Sequence, residues 1–237
     1  MDTNNIDIEY DFYKDTPKGG DPDKFSSTLR RYHKILWSKK LPSGAIFELD
    51  ESIPYKLYHK SDIGEFILSS DCFGNTYSKR EKMSLIIESI PSEGIDSFYR
   101  NCCTIGSYII FPGNRIGYNM TINQSRGMNK LIGDRFDLTL ECIRRFYINE
   151  KNPLEKTLQL YHNYFELFKN FKEFVEFFLL QDFVDERDQS IKFFLPFNNF
   201  ESNPLPQNTS DYILFMDKLE ELIKLRGVRI SNEQLTL

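Results

Sequence analysis

The sequence predicts an α+β fold, with a mainly antiparallel sheet in the N-terminal half packed against a helical C-terminal half. Three observations carry this reading. Up to residue 112, apolar residues recur at every second position in short runs separated by turn residues, as half-buried strands require. From residue 136 the period changes, and Phe136, Leu140, Ile143 and Tyr147 form one stripe of a helix. Apolar residues make up 40% of the 237, with 21 Phe and 13 Tyr among them, which is enough material for a sizeable core.

In chain order, Ile6, Ile8, Tyr10 and Phe12 alternate with polar residues and predict a first strand. Residues 14–25 hold Pro17, Gly19, Gly20 and Pro22 and predict a loop. Ser26 or Ser27 then caps a helix ending near Ser38. Its inward stripe is Leu29, Tyr32, Ile35 and Leu36, with Arg30, Arg31, His33 and Lys34 on the other sides. Pro42-Ser43-Gly44 is a turn. Strands follow at Ala45 to Leu49, at Tyr55 and Leu57, and at Glu65 to Leu68. Leu85 to Ile87 fits strand or helix, and Pro91-Ser92 opens a short helix carrying Ile95 and Phe98. Tyr108 to Phe111 is a buried strand closed by Pro112-Gly113-Asn114.

After the first long helix, Asn152-Pro153 makes a break. Leu158, Tyr161, Phe165 and Phe168 form the next stripe, and Phe171, Phe174, Val175 and Phe178 the one after. Ile191 to Leu195 predicts a late strand, residues 201–208 a loop, and Thr209 or Ser210 the cap of a final helix with Tyr212, Phe215, Leu219 and Leu222 inward. A strand after the helices implies one sheet shared by both halves, so residues 1–237 are expected to form a single globular domain.

Composition excludes several classes. The net charge of −5 gives no whole-molecule attraction for nucleic acid or anionic lipid. No apolar run reaches the roughly 18 residues of a membrane span. The start, Met1-Asp2-Thr3-Asn4-Asn5, lacks a basic region followed by an apolar one, so a secretory signal is not expected. Cys72, Cys102, Cys103 and Cys142 make neither a disulfide framework nor a Cys-x-x-Cys pair, and reduced thiols in a cytoplasm are the reading. Dinucleotide, P-loop, His-Glu-x-x-His and Gly-x-Ser-x-Gly motifs are missing. The sequence therefore assigns no catalytic residue, metal ligand or cofactor.

Charge is uneven, and that is the strongest functional signal. Residues 100–151 carry eight basic side chains against four acidic ones. They include a Gly- and Asn-rich stretch, Pro112 to Gly127, between strand and helix, where binding residues commonly sit. Arg115, Asn123 and Arg126 can line an anion-accepting pocket, because a guanidinium presents two parallel donors to phosphate. A helix start near residues 128–134 would add backbone donors. The competing reading pairs these arginines with Asp134, Asp137 and Glu141 as structural ion pairs. Arg30 and His33 form a second candidate, with Trp37 as a stacking face. His59 beside Ser61 and Asp62 forms an acid–base candidate. Cys102-Cys103 could supply a reactive thiol, but cysteine is usually a small buried residue.

The candidate ligand-binding set is thus Arg30, His33, Arg115, Asn123 and Arg126. The chain reads as a protein that binds or processes a phosphate-bearing ligand, a nucleotide or nucleic acid, at an Arg-lined cleft. The alternative is a non-enzymatic module that binds a protein partner or regulates one, possible in a defence setting.

Several runs carry a family resemblance. They are Asp15-Thr16-Pro17, Thr28-Leu29-Arg30-Arg31-Tyr32-His33, Leu36-Trp37-Ser38-Lys39, Leu68-Ser69-Ser70-Asp71 and Ile110-Phe111-Pro112-Gly113-Asn114-Arg115. Thr121-Ile122-Asn123-Gln124, Asp134 through Arg145, and Phe193-Phe194-Leu195-Pro196-Phe197 continue them. Together they resemble a bacterial family of uncharacterised proteins, a domain of unknown function, over nearly the whole chain. The resemblance implies a bacterial cytoplasmic setting and no particular activity.

Overall fold

The computed structural model describes residues 5–74, 77–78 and 80–234. The expectation drawn from residues 1–4 lies outside them. Two short helices open the fold, α1 (Pro22–Phe25) and α2 (Ser27–Trp37). Asp21 accepts a hydrogen bond from the Asp23 N–H and Pro22 occupies the first turn, so α1 starts where sequence chemistry favours it. Ser26 ends α1 and caps α2, its Oγ accepting from Leu29 N–H at 3.0 Å. Asp15 ties the junction down, accepting from Ser26 Oγ at 2.6 Å and Thr28 N–H at 2.9 Å.

Strands β1 (Lys39–Lys40) and β2 (Ile46–Phe47) pair across the turn at Gly44, whose φ of 88° suits glycine. The main sheet is antiparallel, in the order β3 (Leu57–Ser61), β4 (Gly64–Cys72), β5 (Tyr108–Pro112). Between β4 and β5 run α3 (Ser84–Glu88) and α4 (Ser92–Cys102). The helical half comprises α5 (Ile122–Met128), α6 (Phe136–Tyr147), α7 (Glu155–Leu160), α8 (His162–Glu166), α9 (Phe171–Phe177) and α10 (Thr209–Gln234). The α+β class is therefore as expected.

Three local expectations are corrected. Ile6 to Phe12 is not a strand. Phe12 N–H bonds the Cys103 carbonyl at 3.1 Å and the chain turns into a 3₁₀ segment, Phe12–Asp15. Ile6 and Phe12 are buried all the same, because alternation reports burial and does not supply a neighbouring strand. Ile191 to Leu195 is not a strand either, and makes only an isolated bridge from Ile191 to Val184. What joins the halves is a continuous apolar cluster running from Ile6 to Ile230. The third correction is the helix start, which falls at Ile122 and not within 128–134.

Phenylalanines fill the centre. Phe168 meets Phe174, Phe177 and Phe178 with ring centroids 5.0–5.4 Å apart, and Trp37 lies 5.2 Å from Phe178. Arg226 of α10 enters this core fully buried and donates to the carbonyls of Gly106, Tyr108, Phe178 and Leu179. Four backbone acceptors replace its hydration shell. Burial pulls its pKa down to about 9.

Candidate functional site

A cleft of about 500 Å³ opens where α1 and α2 meet the sheet and the start of α5. This volume lies within the range of small-molecule sites. Leu57 of β3 and Leu68, Ser69 and Ser70 of β4 form its floor. Register places Ser69 opposite Phe111 and Ser70 opposite Ile110, so Gly113 follows at the cleft edge. A Cβ on Gly113 would fall 2.8 Å from Ser69 Oγ, which is why the chain needs glycine there.

Four of the five candidate residues, Arg30, His33, Arg115 and Asn123, come together in this one cleft from α2, the β5–α5 loop and α5. The sequence could not show that convergence. Arg30 donates to Glu51 at 3.1 Å and to the Lys24 carbonyl at 2.9 Å. Arg115 is exposed and donates from Nε to Gln124 Oε1 at 3.2 Å. Gln124 is itself held by the capping box with Thr121 that starts α5. Lys24 and Lys56 add two more cations to the lining, and Asp21 and Asp23 two carboxylates. Tyr55 contributes a half-exposed ring at φ 62°.

Arg126 is the exception and does not line the cleft. It is fully buried, pairing with Asp71 at 2.5 Å and Asp134 at 3.7 Å. It also donates to Thr139 Oγ1 and to the carbonyls of Cys72 and Asp134. Other members of the basic segment behave alike. Arg135 pairs with Asp137, and Arg144 and Arg145 both grip Glu141. Four of the segment's eight cations, Arg126, Arg135, Arg144 and Arg145, are thus held in ion pairs.

His33 is completely buried, contrary to its expected place on a solvated face. Trp37 Nε1–H donates to His33 Nδ1 at 2.9 Å, and an indole N–H can only donate. The proton of His33 therefore sits on Nε2, which donates to Ser70 Oγ at 2.7 Å. Burial, with Arg226 adding repulsion, depresses its pKa to about 3, so the ring is neutral. His33 orients Ser70 and does not take its proton. Trp37 is buried too and offers no stacking face.

The remaining candidates are structural. His59 bonds the Glu48 carbonyl at 2.7 Å and Ser61 Oγ at 2.8 Å, and lies 4.6 Å from the Phe47 ring. Cys102 and Cys103 are buried, and burial pushes both thiols up. Among the described residues no group of three or more His, Cys, Asp or Glu can hold a metal ion, and no helix is long and apolar enough to cross a membrane.

Sequence reading missed Asp23, Lys56 and Tyr55. Asp23 lies in a segment read as loop, and its position became visible only once α1 packed on β4. Burial first, then the neighbouring Asp71 and Asp21, hold its carboxyl well above the usual carboxylate range, against partial relief from Ser70 and Lys56.

These features define an α+β protein with a polar cleft, lined by four cations and two carboxylates, at the edge of a three-stranded sheet. The chain belongs to a family of unknown function, DUF6994, whose model matches residues 6–230. No curated protein and no solved structure matches it.

Proposed function

We propose that this protein binds a small phosphate-bearing ligand, a nucleotide, in the cleft between α2 and the start of α5. The carrying observation is the convergence of Arg30, Arg115, Lys24 and Lys56 on one concave surface. Arg115 retains two guanidinium nitrogens with no bond among the described residues, which suits a phosphate fork. Tyr55 offers a ring face at the rim. The bounded volume favours a nucleotide over a nucleic-acid strand. Four free cysteines suit a reducing bacterial cytoplasm as its setting.

The test is isothermal titration with AMP, ADP, ATP and a short single-stranded DNA. Arg115→Ala and Arg30→Ala should each weaken nucleotide binding about ten- to a hundredfold, as for loss of a hydrogen bond to a charged group. Unchanged affinity in both variants sinks the proposal.

One observation favours a second reading, a surface that binds a protein partner. Ile116, Tyr118 and Met120 project into solvent from the β5–α5 loop, Tyr118 fully exposed. If this reading holds, Tyr118→Ser leaves nucleotide affinity unchanged and abolishes association with the partner.

A further inference from the structure

Two buried acceptors in the cleft have no partner among the described residues. They are Asp23 Oδ1 and Asn123 Oδ1. Asn123 Nδ2 donates to Ser69 Oγ at 3.3 Å and to the Ser70 carbonyl at 3.1 Å. Flipping the amide would set oxygen against the Ser70 carbonyl, which can only accept, so Oδ1 is fixed away from it. Ser70 Oγ receives the His33 proton, which leaves its own proton for the Asp23 carboxyl. Asp23 Oδ1 itself has no hydrogen-bond partner among the described residues.

A buried acceptor without a donor is destabilising, and a native site that keeps two of them on one cleft wall is built for something that arrives. Their complement is a pair of O–H or N–H donors. Phosphate alone brings almost only acceptors, and it is drawn to the opposite character on Arg30, Lys56 and Arg115. A ligand that satisfies both surfaces carries a phosphate at one end and hydroxyls beside it.

We propose that the cleft selects an organic phosphate bearing hydroxyl groups, a sugar phosphate or the ribose phosphate part of a nucleotide, with its hydroxyls donated to Asp23 and Asn123. This inference rests on the phosphate reading above and assigns the residues that set specificity within it. The carboxyl of Asp23 is repelled by Asp71 and Asp21 and makes no ion pair among the described residues, so a ligand hydroxyl adds to the partial relief from Ser70 and Lys56.

The experiment compares three probes by isothermal titration: inorganic phosphate, ethyl phosphate and ribose 5-phosphate. Ribose 5-phosphate should bind at least about tenfold tighter than ethyl phosphate, because a site made to accept hydroxyls discriminates against a ligand lacking them. In Asp23→Ala and in Asn123→Ala that advantage should fall below about threefold while ethyl phosphate affinity stays within about threefold of the parent. Asp23→Asn, which keeps the shape, serves if Asp23→Ala does not fold, and should lose part of the same advantage. Equal binding of ethyl phosphate and ribose 5-phosphate overturns this inference alone. A variant that loses ethyl phosphate along with ribose 5-phosphate also overturns it, since Asp23 or Asn123 would then serve the phosphate. Failure of all three probes to bind overturns the phosphate reading and this inference with it.

Discussion

Replacing Arg126 by Met tests whether the basic segment is structural. The guanidinium is fully buried and contacts two carboxylates, a hydroxyl and two carbonyls. Removing one partner of a buried ion pair costs about 3–5 kcal/mol, since the other charge stays buried and unmatched. Asp71 and Asp134 keep 24% and 25% side-chain exposure, so the lower end applies, about 3 kcal/mol. At roughly 2–4 °C per kcal/mol for a chain of this size, the melting temperature should drop by about 6–12 °C. The loss should also depend on pH. Burial raises the Asp71 pKa and Arg126 counters it. Without Arg126 it rises further, so the folded variant holds a proton that the unfolded chain releases. The penalty is then largest near pH 7 and shrinks on acidification. Urea denaturation of both proteins at pH 7 and pH 5 measures this. Adding Asp71→Asn should recover part of the stability. A variant that melts within 2 °C of the parent yet no longer binds nucleotide would refute the argument and return Arg126 to the cleft.

Four further outcomes follow from particular contacts. With an unfolded pKa of 6.5 and a folded one of about 3, His33 contributes stability that is complete above pH 6.5 and declines as pH falls through that window. This amounts to about 2–3 kcal/mol between pH 6.5 and 4.5, and His33→Asn should flatten that part of the urea profile. Thiol titration of the native protein at pH 8 should be slow at all four cysteines, since burial raises each thiol, Cys72 to about 12; rapid labelling of Cys102 or Cys103 would contradict their burial. Gly113→Ala should lower stability by about 1–3 kcal/mol in chemical denaturation, because the new methyl meets Ser69. Arg226→Met should leave four carbonyls unmatched in the core and lower stability by at least about 3 kcal/mol in the same assay.

The fold was legible where local chemistry fixes it. Ser26 announces α2, Pro112-Gly113 ends β5, and the stripes at Phe136 and Tyr212 give α6 and α10. It was illegible where pairing decides the structure. Ile6 to Phe12 and Ile191 to Leu195 have strand-like alternation, but neither finds a strand edge to join. Periodicity records which side chains face inward, and both segments do bury theirs. The candidate site was half legible for a related reason. Arg30 and Arg115 stand 85 positions apart, and only the packing of α2 beside the β5–α5 loop brings them to one cleft.

The segment's excess charge pointed to a loop that does line the cleft, for partly the wrong reason. Its positive balance suggested a basic surface, yet Arg126 and Arg135 are interior residues with carboxylate partners. One of those partners, Asp71, comes from β4, outside the segment over which the charge was counted. A local tally cannot see it. Among the described residues, the cleft cations with the weakest partners are Arg115, bonded to a neutral glutamine, and Lys56, while Arg30 shares its guanidinium with Glu51. Asp23 follows the same logic with the sign reversed. It is a buried carboxyl without a cation, beside two others, and nothing in its sequence neighbourhood distinguishes it from Asp21, which merely caps a helix. A candidate binding side chain in this fold is therefore marked by an unmet requirement for a partner, and that requirement becomes visible only when the contacts of every other group are known.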